Sequence, residues 1–237
     1  MEIIKREKGE FGEIKIDFYL NKDRAILVTI EQLAQGFGYK NRKGIEKMIE
    51  RNPYLKEEKF SVADKLSGAD GKKYETRLFN KRGIFEIGML SRTEKGKAFR
   101  AWIYDYIEEL EKENANFRFQ RALEKPTHKT LNEAISKWDN APKPPHGYSI
   151  VSNLLLKLST GKNKKKLIED RGGKTGLDCL TSVELAKYQA YEKAVIPMIE
   201  LNMEYSVIRD TLLQVQLWEQ QKRLEWQLKP KVKLEKY

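Results

Sequence analysis

The sequence predicts an α+β protein: a small mixed N-terminal domain with two hairpins and a helix-turn-helix-like pair, followed by an all-α C-terminal domain. Alternating runs rich in β-branched residues predict the strands. Apolar residues recurring at spacings of three and four predict the helices. A chain of 237 residues and 27.8 kDa suits two small cores better than one. We divide it into residues 1–112, a helical and proline-rich connector at 113–147, and a helical domain at 148–237, expected to serve assembly or partner binding.

In chain order, residues 14–20 alternate with Ile14, Ile16 and Phe18 on one face, and residues 25–29 form a second strand across the turn Asn21-Lys22-Asp23-Arg24. Thr29 and Gln32 make a capping-box start for a short helix whose inner positions are Ile30, Leu33, Ala34 and Phe37. Gly38-Tyr39-Lys40 interrupts that pattern. Asn41 then caps a second helix with Ile45, Met48 and Ile49 inward. Gly44 within it costs about 1 kcal/mol relative to Ala. Pro53 ends this helix, and two extended runs follow, residues 59–66 and 72–80, across the turn-rich loop 67–71. A hairpin directly after such a helix pair occupies the wing position of winged DNA-binding folds. Next come a short apolar helix at 84–90 and a longer one in which Phe99, Trp102, Ile103, Tyr106, Ile107 and Leu110 form a continuous apolar stripe that closes the core.

Pro126 is expected to stop that helix, with a separate one at 130–139 carrying Leu131, Ala134, Ile135 and Trp138 on one side. The run Ala141-Pro142-Lys143-Pro144-Pro145-His146-Gly147 reads as a stiff connector. A helix at 148–158 precedes a lysine run at 164–166. Arg171-Gly172-Gly173-Lys174-Thr175 invites comparison with a phosphate-binding loop and fails it, because Ile168 stands where the first glycine is required. It reads as a turn. Thr181 and Glu184 form a capping box for a helix at 181–200, which Pro197 is expected to kink. A final helix at 206–228 carries Leu213, Leu217, Leu224 and Leu228 at intervals of four, seven and four, with Trp218 and Trp226 adding apolar area. Core packing accounts for this stripe more simply than a dimer seam, since two heptads fall short of a coiled coil.

Charge narrows the function. The net charge is +11 with a pI near 9.4, which favours a polyanionic partner. Residues 40–100 hold 17 Lys and Arg against 9 Asp and Glu, leaving +8 in the region of the helix pair. Lys43, Lys47 and Arg51 fall at i, i+4 and i+8 on the second helix, with Lys40 and Arg42 at its entrance. In the usual geometry, the start of the second helix meets base edges while flanking cations hold phosphates. Asn41, Arg42 and Lys43 are therefore assigned to base edges, and Lys47, Arg51, Lys72, Lys73 and Arg77 to phosphates, with Lys40 beside them. The apolar runs, such as 26–28 and 154–156, are too short to cross a bilayer. The charged N-terminus lacks a signal-peptide core, so an intracellular soluble protein is expected. One cysteine, Cys179, and two histidines, His128 and His146, argue against a zinc site, and no metal or cofactor is expected. Cys179, beside Leu177 and Leu180, is read as a buried structural thiol. No paired carboxylates or histidine accompany the basic region, so no enzyme is expected.

The ordered set of a leading hairpin, LAQGFGYKNRKGIEKMI, a charged hairpin and LFNKRGIFEIGMLSRTEKGKAFRAWIYDYIEEL resembles the Bro-N domain of bacteriophage antirepressors and related baculovirus and phage proteins. The resemblance spans roughly residues 11–110. The family commonly has Glu where Arg82 stands and Pro where Gly96-Lys97 precedes Ala98. The resemblance implies a DNA-binding module of small phage regulators, acting through residues 41–47 and Arg51. The C-terminal half is similar to the helical accessory domains that follow Bro-N, which implies partner binding or oligomerisation. The expected function is that of a phage or prophage antirepressor or transcriptional regulator in the bacterial cytoplasm, nucleoid-associated when bound to double-stranded DNA. Its other partners would be a phage repressor and a second copy of itself. The alternative is a protein-interaction antagonist that inactivates a repressor without binding DNA.

Overall fold

The computed structural model describes residues 3–67, 72–142 and 146–228. The loop at 68–71, the residues Lys143, Pro144 and Pro145, and the side chains of Trp226 and Leu228 lie outside the described residues. Two compact units are formed, residues 1–116 with 165–179, and residues 117–164 with 180–237. Residues 165–179 thus join the first unit, a return that a linear division at 112 and 147 does not contain.

The first unit is built on a five-stranded antiparallel sheet in the order β1-β2-β3-β5-β4. Its strands are β1 (Ile3–Phe11), β2 (Ile14–Asn21), β3 (Ile26–Thr29), β4 (Ser61–Ser67) and β5 (Lys73–Asn80). β1 is an addition to the two sequence-predicted hairpins. It pairs with β2 across Gly12, whose φ of +59° suits a residue without Cβ. On β2 the predicted alternation holds, with Ile16, Phe18 and Leu20 buried.

Helices α1 (Ile30–Gly36), α2 (Lys43–Arg51) and α3 (Lys81–Leu90) pack around the sheet. Thr29 caps α1, its hydroxyl accepting from the Gln32 N–H at 3.3 Å. Asn80 caps α3 in the same manner through the Gly83 N–H at 3.1 Å. The core joins Phe18, Val28, Leu33, Phe37, Ile45, Leu55, Phe79 and Ile84 to Phe99, Ile103 and Ile107 of α4 (Glu94–Ser136). The α4 stripe is inward as its spacing predicts. Phe99 meets Phe37 edge-on with centroids 4.8 Å apart, and Trp102 stacks on both Phe99 and Tyr106. Burial pushes the Tyr106 hydroxyl up to about 12, with the charges of Glu7 and Glu109 adding to the effect. That hydroxyl donates to the Lys8 carbonyl at 2.9 Å.

Within the same unit, the loop after α6 (Lys164–Arg171) packs on β1. Gly172 has φ +65° and lies against Arg6. A Cβ on Gly173 would sit 2.1 Å from Cys179 Sγ. Cys179 is buried, as its apolar neighbours predict, and burial raises its thiol.

Pro126 does not stop α4, contrary to the sequence expectation. The helix runs through it to Ser136, so the predicted separate helix at 130–139 is the end of α4. A proline in a helix removes one N–H and forces nearby carbonyls out of line. Here Gln189 of α7 (Ser182–Glu200) donates to the Leu123 carbonyl at 2.7 Å, satisfying the backbone beside the interruption. The remaining helices of the second unit are α5 (Gly147–Thr160) and α8 (Tyr205–Leu228). The Thr181 capping box forms with both of its hydrogen bonds. Among the described residues of α8 the buried ones are Ile208 and Leu212, whereas Leu213, Leu217, Trp218 and Leu224 are exposed. Leu213, Leu217 and Leu224 are thus not core, which overturns the simpler sequence reading for the described part of the stripe.

Candidate nucleic-acid interface

The turn between α1 and α2 is held from outside the helix pair. Its backbone is closed by the Tyr39 N–H donating to the Ala34 carbonyl at 2.9 Å. Gly38 has φ +78° and lies under the aliphatic chain of Lys95. Thr93 donates its hydroxyl to the Phe37 carbonyl, and the Tyr39 hydroxyl donates to Ser91 Oγ at 3.3 Å. The loop from α3 to α4 is therefore fastened against the helix pair, bringing Arg92 beside α2.

Asn41 does not occupy the cap position of α2, which falls on Arg42. Its Oδ1 nevertheless accepts from the Lys43 N–H at 3.0 Å and so supports the first turn. Ile45 and Ile49 are buried, while Lys43, Lys47 and Arg51 are exposed. Gly44 has a packing reason: a Cβ there would come within 2.4 Å of the Tyr39 ring. The cost in helix propensity offsets a closer seat for the tyrosine that bonds to Ser91.

The eight cations among the nine residues predicted to meet DNA separate into three groups. Arg42 donates to Glu31 Oε1 at 3.1 Å and pairs with Glu46 at 3.0 Å, and the Glu31 hydrogen bond followed by the Glu46 charge raises its guanidinium above the ordinary value. Glu31 also accepts from the Thr76 hydroxyl of β5 at 3.0 Å. Arg42 thereby links α2 to α1 and to the wing hairpin. Arg77 is half-buried and donates to Ser61 Oγ at 2.9 Å, beside a cavity of about 470 Å³ that Glu46, Glu50 and Glu75 line as well. Charge there is mixed.

Lys47 and Arg51 line a second cavity, of about 640 Å³, together with Arg92 and the apolar surfaces of Tyr39, Met48 and Leu90. Among the described residues, Lys40, Lys43, Lys47, Arg51, Arg92 and Lys95 form no ion pair with a carboxylate. Lys72 and Lys73 are exposed at the start of β5. Arg92 and Lys95, which the sequence reading did not single out, stand beside the helix pair, Arg92 lining the second cavity and Lys95 packed on Gly38.

Residues 15–112 match the family model described as BRO family, N-terminal domain. That stretch is a Bro-N domain. The match covers β2 through the first part of α4, and so includes the helix pair, the wing hairpin and the loop carrying Arg92. The family is associated with phage antirepressors and DNA-binding regulators. The whole chain matches no curated protein. Among the described residues, no helix is long and apolar enough to cross a membrane.

Proposed function

We propose that the Bro-N domain binds double-stranded DNA through the outer face of α2 and that the chain is a phage or prophage antirepressor or transcriptional regulator. The observation that carries this reading is the carboxylate-free set Lys43, Lys47, Arg51 and Arg92, presented on one short helix and the loop fastened beside it. In this reading Lys47, Arg51 and Arg92 hold phosphates, Asn41 and Lys43 approach base edges, and Lys72 and Lys73 meet the backbone from the wing. Arg42 holds the start of α2 in place. The protein acts without catalysis, in the bacterial cytoplasm and on the nucleoid when bound.

The test is selection of bound fragments from phage genomic DNA, followed by anisotropy titrations at several salt concentrations. The logarithm of affinity is expected to fall linearly with that of salt, by about 0.9 for each phosphate neutralised. A supercoiled plasmid incubated with the protein and Mg²⁺ is expected to stay intact. Absence of saturable binding, or plasmid cleavage, overturns the proposal.

The second unit supports self-association. Leu213, Leu217 and Leu224 repeat at heptad-compatible spacing on one helix and are exposed, together with Trp218. A second copy presenting the same stripe would bury it by two-fold symmetry. The expected operator is then a pseudo-palindrome with half-sites about one helical turn apart. Leu217→Asp/Leu224→Asp is expected to convert a dimer to a monomer in light scattering, with the fold of the Bro-N domain unchanged. A wild-type protein that is monomeric at tens of micromolar rules the seam out.

A further inference from the structure

In the second unit, three donors from two helices converge across the proline interruption of α4. Glu124 and His128 stand four residues apart on either side of Pro126, and Glu192 faces them from α7. Both glutamate side chains are fully buried, whereas His128 is partly exposed. His128 Nδ1 lies 2.7 Å from Glu192 Oε1 and 3.5 Å from Glu124 Oε1, and one donor atom from each residue falls within 4.8 Å of the other two. Glu124 Oε1 and Glu192 Oε2 accept no hydrogen bond among the described residues.

Two buried carboxylates with orphaned oxygens are costly without positive charge. Arg121 contacts Glu124 and supplies one charge, but its own Nη1 is buried without a well-formed hydrogen bond. Burial raises the Glu192 carboxyl, against the opposing effects of His128 and Arg121.

We propose that Glu124, His128 and Glu192 form a binding site for a divalent transition-metal cation of the zinc or manganese type. Two carboxylate oxygens and one imidazole nitrogen match the donors these ions take, and the imidazole disfavours Mg²⁺ and Ca²⁺. Bond lengths of about 2.0–2.2 Å place neighbouring donors about 3–3.5 Å apart. The two His128 distances already span that range, so small side-chain rotations complete the geometry. Three protein ligands leave at least one position to water. The bound ion would staple α4 to α7 where Pro126 weakens α4, and Arg121, which is partly exposed, would turn from Glu124 toward solvent. The scarcity of cysteine and histidine hid this site from sequence reasoning, because two of its donors are carboxylates from distant positions.

The experiment uses the full chain, stripped with chelator and desalted, titrated calorimetrically with ZnCl₂ and separately with MnCl₂, with melting followed in parallel. One ion per chain and a rise in Tm of several degrees are expected for at least one of the two cations. Glu192→Gln and His128→Gln, each verified as folded by circular dichroism, are expected to lose at least tenfold in affinity and most of the Tm rise. Co²⁺ added to the wild-type protein is expected to give the visible bands of a nitrogen- and oxygen-bound ion, a readout that needs no variant. Binding of equal strength in wild type and both variants overturns the proposal, as does a folded wild-type protein that takes up none of these cations. Neither result bears on DNA binding by the Bro-N domain.

Discussion

Lys47→Ala/Arg51→Ala/Arg92→Ala is expected to lower affinity for the selected DNA by roughly 10²- to 10³-fold at 0.1 M salt and to reduce the salt slope by about 3, one unit for each phosphate no longer neutralised. All three side chains are exposed on the surface of the Bro-N domain, so stability should move by no more than about 0.5 kcal/mol per site. A loss of affinity therefore reports the interface and not the fold. Salt-dependent titrations of the triple variant beside wild type measure both quantities. An unchanged slope would remove the α2 face from the interface. Arg42→Ala carries the contrasting expectation. Its charge is already met by Glu31 and Glu46, so little counterion release depends on it and the slope should barely change. If Arg42 instead reads a base, that variant loses discrimination at one position of the operator while its slope stays near that of wild type.

This contrast marks how far the site could be read from sequence. The position of α2 follows from Ile45, Met48 and Ile49, and its cationic outer face from the spacing of Lys43, Lys47 and Arg51. Both are local patterns. Whether a cation is available is a tertiary matter: Arg42 sits one residue before Lys43, yet Glu31, eleven residues earlier, reaches it from α1. Arg92 lies some forty residues beyond the second helix and reaches the cavity only because Tyr39 and Phe37 bond to Ser91 and Thr93. No periodicity encodes that approach.

The same division runs through the fold. β2 and the apolar face of α4 repeat at the period of their own geometry, while β3 was legible as a short run rich in β-branched residues that is buried throughout and β5 as an extended run after a turn-rich loop. β1 was not, because Lys5-Arg6-Glu7-Lys8 reads as a solvated charge run. In the structure Lys5 is buried and pairs with Glu7 at 2.5 Å, so alternation is present but carried by a lysine. At Pro126 a sound local rule yields to context, since Gln189 supplies a donor beside the interruption. On α8 the spacing of the leucines was plain, and which side of the helix found a partner was not.

The largest change in stability is expected from Phe99→Ala. Phe99 is fully buried, meets Phe37 and Phe11 edge-on and stacks on Trp102, so truncation combines lost apolar transfer with a cavity, at about 3–5 kcal/mol. The cavity has little means of closing, because the ring rests on the α1 backbone at Gly36, where a Cβ would come within 2.1 Å of it. Gly36→Ala alone is therefore expected to destabilise by overpacking, at about 1–3 kcal/mol. In a Phe99→Leu background the smaller side chain leaves room for that methyl, and the cost of Gly36→Ala should fall, giving a coupling energy that a double-mutant cycle isolates. Amide hydrogen exchange on β2 and β3 is the suitable measurement, since it reports the opening of this unit separately from the helical one. Additive effects at the two positions would mean that the α1 backbone moves away from the ring. α2 would then lose its support, and DNA affinity should fall with the exchange protection. Coupled effects place the strain in the contact itself and predict that Phe99→Leu/Gly36→Ala keeps its salt slope.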